Sequence, residues 1–436
     1  MTNILQFDTP EITRLFSNLE LNGKRLNHRP GSVVGCTALV AGTTVGAGIL
    51  GLPAVTMPSG VVPSTVLLIA VWIYTLVSAL LIAEANLNTM RQLGRPNSGM
   101  LTMSEKSLGP VGAQVTGGAY LFQHYALLVA YIAEGGQILT SAIESSFGIP
   151  NHLPAWVGTT IFCTIFGGIL YFCRQSLVEK LNSAFVGILI IAFLGLLALG
   201  LTAVNPTQFL HQDWKALSPA ISVMFVALFY HNIIPVITTQ LEGDVQKIRQ
   251  SIVVGSAIPL LMFLAWNAVI LGSVSLDILP NSSNIADPLQ ALRQGAAGEW
   301  LAVLIAIFSE FAIATSFIGF MYGLLDFFHD VLDITPHDNS KRLSLYSLAL
   351  VPAISLSSLN PKIFLTALDY VGAFSISVLG GIIPAVIIWK QRYQQQNSCS
   401  ITQPLVPGGR VTLVMMIGVA IVVILEHLIS IAVANP

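Results

Sequence analysis

Hydrophobic and polar positions along this chain alternate in long blocks rather than in short periods. Eleven apolar runs, at roughly 33–57, 61–88, 112–142, 154–173, 181–204, 217–240, 250–275, 297–328, 343–359, 363–390 and 410–434, are each about long enough to cross a bilayer as a helix. The segments between them are short and rich in turn residues, as in "RQLGRPNSG" and "NPTQFLHQDW". No interval is long enough for a separate soluble domain. The pattern predicts an all-α polytopic membrane protein of about eleven transmembrane helices.

Two of the runs are interrupted. The first contains "GTTVGAGILGLP", where Gly48, Gly51 and Pro53 oppose a continuous helix near mid-membrane depth. Lipid offers no partner to the backbone groups so exposed, and such a break persists only where it lines a cavity or site. The N–H groups of Ala47, Gly48 and Ile49 would attract an anion. Carbonyls around Val45 and Gly46 would attract a cation. The sixth run, "FVALFYHNIIPVITTQ", has Pro235 inside it, with His231 and Asn232 just before. The sixth span enters from the opposite side to the first. The two breaks therefore predict a 5+5 inverted repeat with broken helices 1 and 6, plus one extra C-terminal helix. The units would be residues 1–32, a cytoplasmic N-terminal segment; 33–204, the first five-helix repeat; 205–390, the second; and 391–436, a cytoplasmic loop with the eleventh helix.

Within the third run, Tyr120, His124, Leu127, Tyr131, Glu134, Gln137 and Ser141 recur at steps of three or four and share one helix face. Such a stripe predicts an aqueous path, with Tyr131 placed to touch a bound molecule. Phe225 and Phe229 are placed to stack on an aromatic ring.

Composition agrees with the pattern. Of 436 residues, 54% are hydrophobic and 9% charged, where a soluble domain carries about 25% charged. Of the 19 Lys and Arg, only Lys215, Arg293 and Lys362 fall in segments outside the membrane if the N-terminus is cytoplasmic. The bias predicts N-in, C-out insertion in a bacterial inner membrane. The four cysteines form no metal or disulfide spacing. The spacing Gly46-x-Gly48-x-x-Gly51 matches a dinucleotide fingerprint, but no strand precedes it and position 71 is Val71 rather than an acid. No hydrolase or P-loop motif is present, so neither an enzyme nor a nucleic-acid partner is expected.

The stretch "GTTVGAGILGLP" resembles the first span of the aromatic amino acid (tyrosine and tryptophan) permeases. These belong to the amino acid–polyamine–organocation superfamily, with the leucine-transporter fold. "FAIATSFIGFMYGLLDFFHD", residues 311–330, is similar to that family's eighth span. The resemblance implies secondary active uptake of an amino acid, tyrosine or tryptophan first, usually by proton symport. It also implies a sodium site in some relatives. Here Gly42, Val45, Ala312, Thr315 and Ser316 have that spacing, and a small-residue packing face explains the last three equally well. Sodium-coupled symport of other neutral amino acids and a passive channel are the alternatives. No cofactor is expected beyond the coupling ion, H⁺ or Na⁺. The partners are the amino acid and the bilayer, with the oligomeric state open.

An ionisable side chain inside a span marks a candidate site. Glu134, Glu310 and His231 are the coupling candidates, since carboxyl and imidazole groups carry protons. Glu84 reads as a solvated or packing-paired carboxylate, and Glu426 with His427 as a helix contact or oligomer interface.

Overall fold

The computed structural model describes residues 14–22, 25–94, 99–147, 153–274, 299–332, 339–394 and 404–434. An antiparallel hairpin, β1 (Leu19–Asn22) and β2 (Arg25–His28), precedes the helices. Span 1 is α1 (Val33–Thr44) and α2 (Gly48–Thr56), and span 2 is α3 (Val61–Leu93). The short α4 (Met100–Leu108) leads to spans 3, 4 and 5: α5 (Pro110–Phe147), α6 (Ala155–Phe172) and α7 (Gln175–Leu201). Span 6 is α8 (Ser218–Leu228) and α9 (Ile234–Gln240). Spans 7 to 11 are α10 (Val245–Ser273), α11 (Glu299–Val331), α12 (Asn339–Leu359), α13 (Ile363–Tyr393) and α14 (Gly409–Ala434).

Among the described residues, ten helices are long and apolar enough to cross a membrane, and α1 with α2, bent by 52°, makes an eleventh if the pair is one span. The expected runs are found with shifted edges. Span 2 continues to Leu93, where Gly94 closes it in the left-handed conformation (φ 64°). Span 7 starts early because the Asp244 carboxylate accepts from the Gln246 and Lys247 amides and caps α10. The cations Lys24, Arg95 and Arg293 lie outside the described residues.

The hairpin adds a small β element to the expected all-α chain. It is held by the end of span 6. The Gly31 amide donates to the Gln240 carbonyl at 2.9 Å. The Asn18 side chain donates to the Thr239 and Gln240 carbonyls at 3.2 and 3.0 Å. Glu242 sits at φ 56° and receives the Asn18 amide and His28 Nε2, each at 2.6 Å.

Burial is uneven along span 1. All nine residues of α2 are buried, but only Cys36, Val40 and Thr44 of the twelve in α1. Exposed Gly35, Ala38 and Gly42 of α1 lie on one face at steps of three and four. Span 10 contains a twelve-residue π-helical stretch, Val371–Ile382. π-Winding leaves carbonyls off the usual ladder, and Ser78 donates to that of Gly380.

Glu84 is buried, not solvated. Arg392 Nε and Nη2 clamp its two carboxylate oxygens at 2.6 Å each, and the Leu405 amide adds a third donor at 2.9 Å. That pairing ties span 2 to span 10.

Candidate functional site

The first break is built by local chemistry. Val45 is extended (ψ 95°), and its amide closes α1 on the Ala41 carbonyl. The Ala47 amide, freed by the bend, donates to Ser316 Oγ of span 8 at 2.9 Å. The Ile49 and Leu50 amides then open α2 on the carbonyls of Gly46 and Ala47. Pro53 has no N–H for the Ile49 carbonyl four residues back. The Trp266 indole N–H of span 7 supplies the missing donor at 3.2 Å.

The glycines here serve approach. A Cβ on Gly48 would lie 2.7 Å from Ala227 Cα of span 6, and one on Gly46 would meet Ser316 Oγ. The half-helices α2 and α8 therefore pack backbone to backbone just before the second break.

That break opens at Phe229, which is extended (φ −89°, ψ 131°). A single 3₁₀ turn, His231–Ile233, follows before α9. Pro235 again withholds a donor, here from the His231 carbonyl, and the Ile234 amide serves it instead.

Aromatic rings fill the space around both breaks. Tyr74 stacks on Phe225 at 5.2 Å, Phe225 meets Phe229 edge-on at 5.9 Å, and Phe229 meets His231 at 5.8 Å. On the other wall Tyr131, 2% exposed, interacts with Ser316 and meets Phe320 edge-on at 5.7 Å. Phe320 lies 5.0 Å from His124, which feels His231 electrostatically. Contacts thus run from Ala47 through Ser316, Tyr131 and Phe320 to His124 on one side, and from His231 through Phe229 and Phe225 to Tyr74 on the other. Asn232, by contrast, is exposed and turned from this interior.

The span 3 stripe is packed rather than open here. His124, Leu127 and Tyr131 are buried, and Gln137 donates to the Pro361 carbonyl at 2.9 Å. Glu134 of span 3 lies near enough to Glu310 of span 8 to act on it electrostatically. Both carboxylate oxygens of Glu310 are buried without a hydrogen-bond partner.

At the expected cation position, the Thr315 hydroxyl donates to the Phe311 and Ala312 carbonyls of its own helix at 2.9 and 3.1 Å. Ser316 is engaged by Ala47, Ala312 is fully buried, Val45 is half-buried, and Gly42 is exposed. Among the described residues no three His, Cys, Asp or Glu side chains converge as metal ligands. Glu426 accepts from Ser218 and His427 lies 3.5 Å from Asp369, so this pair makes intramolecular helix contacts.

Four site residues are not marked by the sequence pattern: Tyr74, Phe320, Trp266 and Gly380. Phe320 stands one turn beyond Ser316 on the same face, a spacing that points to it. Gly380 leaves room for the Phe229 ring, which no local pattern signals.

Ten or eleven membrane-length apolar helices among the described residues, around an interrupted and aromatic centre, suit a membrane transport protein. The chain belongs to the tryptophan/tyrosine permease family, whose pattern matches residues 29–427. It is 29% identical over 396 residues to tyrosine-specific transport system 1 of Haemophilus influenzae, covering 89% of this chain and 95% of that protein. It is 27% identical to a tryptophan-specific transport protein of Pseudomonas aeruginosa, covering 83% and 86%. It is 25% identical to glutamine transporter 2 of Aliivibrio fischeri, covering 81% and 88%.

Proposed function

We propose that the chain imports an aromatic amino acid, tyrosine first, together with protons, by alternating access. The observation that carries this reading is the meeting of two helix breaks inside one buried aromatic cage. The α-carboxylate binds at the start of α2, where the Ala47 amide now holds a serine hydroxyl that a stronger acceptor can displace. The ammonium meets carbonyls near Val45 and Phe229. The ring lies among Phe225, Phe229, Tyr131 and Phe320. Tyrosine leads because relatives at 29% and 28% identity are tyrosine-specific transport systems.

In this reading spans 1–5 and 6–10 are inverted repeats, and the N-terminus is cytoplasmic in a bacterial inner membrane. The tight packing of α2 on α8 is a closed outer side. The exposed small-residue face of α1 borders an inner vestibule.

What supports protons as the coupling ion is that both Glu310 oxygens are buried and unpartnered, with Glu134 near enough to act on them electrostatically. A proton on one of the two carboxyls removes the like-charge conflict. Uptake into proteoliposomes, with pH and sodium gradients imposed separately, tests the reading. Tyrosine should accumulate against its gradient when the outside is acidic, with sodium absent. Accumulation driven only by sodium would move coupling to Thr315 and Ser316. Equilibration without accumulation would make the chain a facilitator.

A further inference from the structure

We propose that His231 reads the far end of the substrate side chain. The transported class would then be amino acids whose side chain ends in a hydrogen-bond donor: a phenol, an indole or a carboxamide. The inference rests on the amino-acid reading above and adds the basis of selection.

His231 is 3% exposed, and neither ring nitrogen has a hydrogen-bond partner. A neutral imidazole has one donor and one acceptor nitrogen. Burying both unpaired is unfavourable, and such groups in native proteins call for a reason. The backbone holds the ring there through the 3₁₀ turn between extended Phe229 and Pro235. His124 on α5 differs, because its Nδ1 is bonded to the Tyr120 carbonyl at 2.8 Å. One imidazole is thus held by its own helix, and the other waits for a partner.

The lining suits an aromatic amino acid. Tyr131, beside Ser316 and the Ala47 amide, marks the carboxylate end. His231, edge-on to Phe229 at 5.8 Å in the second break, marks the other. Phe320, in contact with both Tyr131 and His124, offers a flat wall for the ring. Phenylalanine would fill the same walls but leave His231 unpaired. A pocket that hydrogen-bonds a substrate group rejects the analogue lacking it far more strongly than an apolar slot can.

The test is competition against labelled tyrosine uptake in proteoliposomes by tyrosine, 4-aminophenylalanine, phenylalanine and 4-methoxyphenylalanine. The two competitors with a donor should inhibit at least about ten-fold more strongly than the two without. His231→Phe should bring that ratio near one, chiefly by weakening tyrosine. His231→Gln, which keeps a side-chain acceptor, should retain most of it. Equal inhibition by all four in the unmodified protein overturns the proposal, as does a preference that survives His231→Phe. If His231→Phe does not reach the membrane, the unmodified ranking and His231→Gln decide. Unmodified protein that takes up no amino acid refutes the functional reading instead, a result distinct from tyrosine uptake without selection for the donor.

Discussion

The Trp266 indole caps the Ile49 carbonyl that Pro53 leaves bare, across 217 residues of sequence. A break in one span is thus completed by a side chain from another. Trp266→Phe keeps an aromatic ring but removes the donor, together with part of the indole's buried volume. An unsatisfied buried carbonyl costs about 1–3 kcal/mol. Thermal unfolding of purified protein should register that loss, and an unchanged midpoint would show that another group serves Ile49.

Gly48→Val should abolish uptake while insertion and expression persist. The first added carbon already lies 2.7 Å from the Ala227 backbone, which no rotamer change can relieve. The half-helices α2 and α8 would have to separate. Uptake and membrane abundance measured side by side check this, and normal transport would refute the close-packed break.

Glu310→Gln should uncouple transport. Neutral glutamine has the same shape but cannot take up and release the proton. Tyrosine exchange between the two sides should continue, while accumulation driven by a pH gradient should disappear. Gradient-driven accumulation that persists in this variant would assign the proton elsewhere.

Arg392→Leu should cost about 3–5 kcal/mol, because it leaves the buried Glu84 carboxylate without its clamp. Replacing both, Glu84→Leu with Arg392→Leu, should recover much of the loss, since an apolar pair carries no desolvation penalty. Thermal midpoints of the two variants measure the difference.

The crossings and the two interruptions were legible because apolar length and Gly/Pro placement act locally. Gly48 and Pro235 stand in the first turns of the half-helices that follow the breaks, whereas Gly51 and Pro53, expected to oppose a helix, lie inside α2. The stripe from Tyr120 to Ser141 was legible as a face, but not its state: periodicity cannot say whether water or Phe320 covers it. The partners of Glu84, Ile49 and the hairpin lie more than 200 positions away, and only the fold brings them near. The β1–β2 hairpin was hidden for another reason. Its strands are four residues each, too few for alternation to stand out in a polar leader, and it is held by the end of span 6.

That hairpin joins two pieces of chain that otherwise belong to different halves of the bundle. Gly31, one residue ahead of the α1 cap, is stitched to Gln240, the last residue of α9. The two half-helices are therefore leashed to each other at these ends. Any movement that parts them must first break this bond and peel the ribbon away.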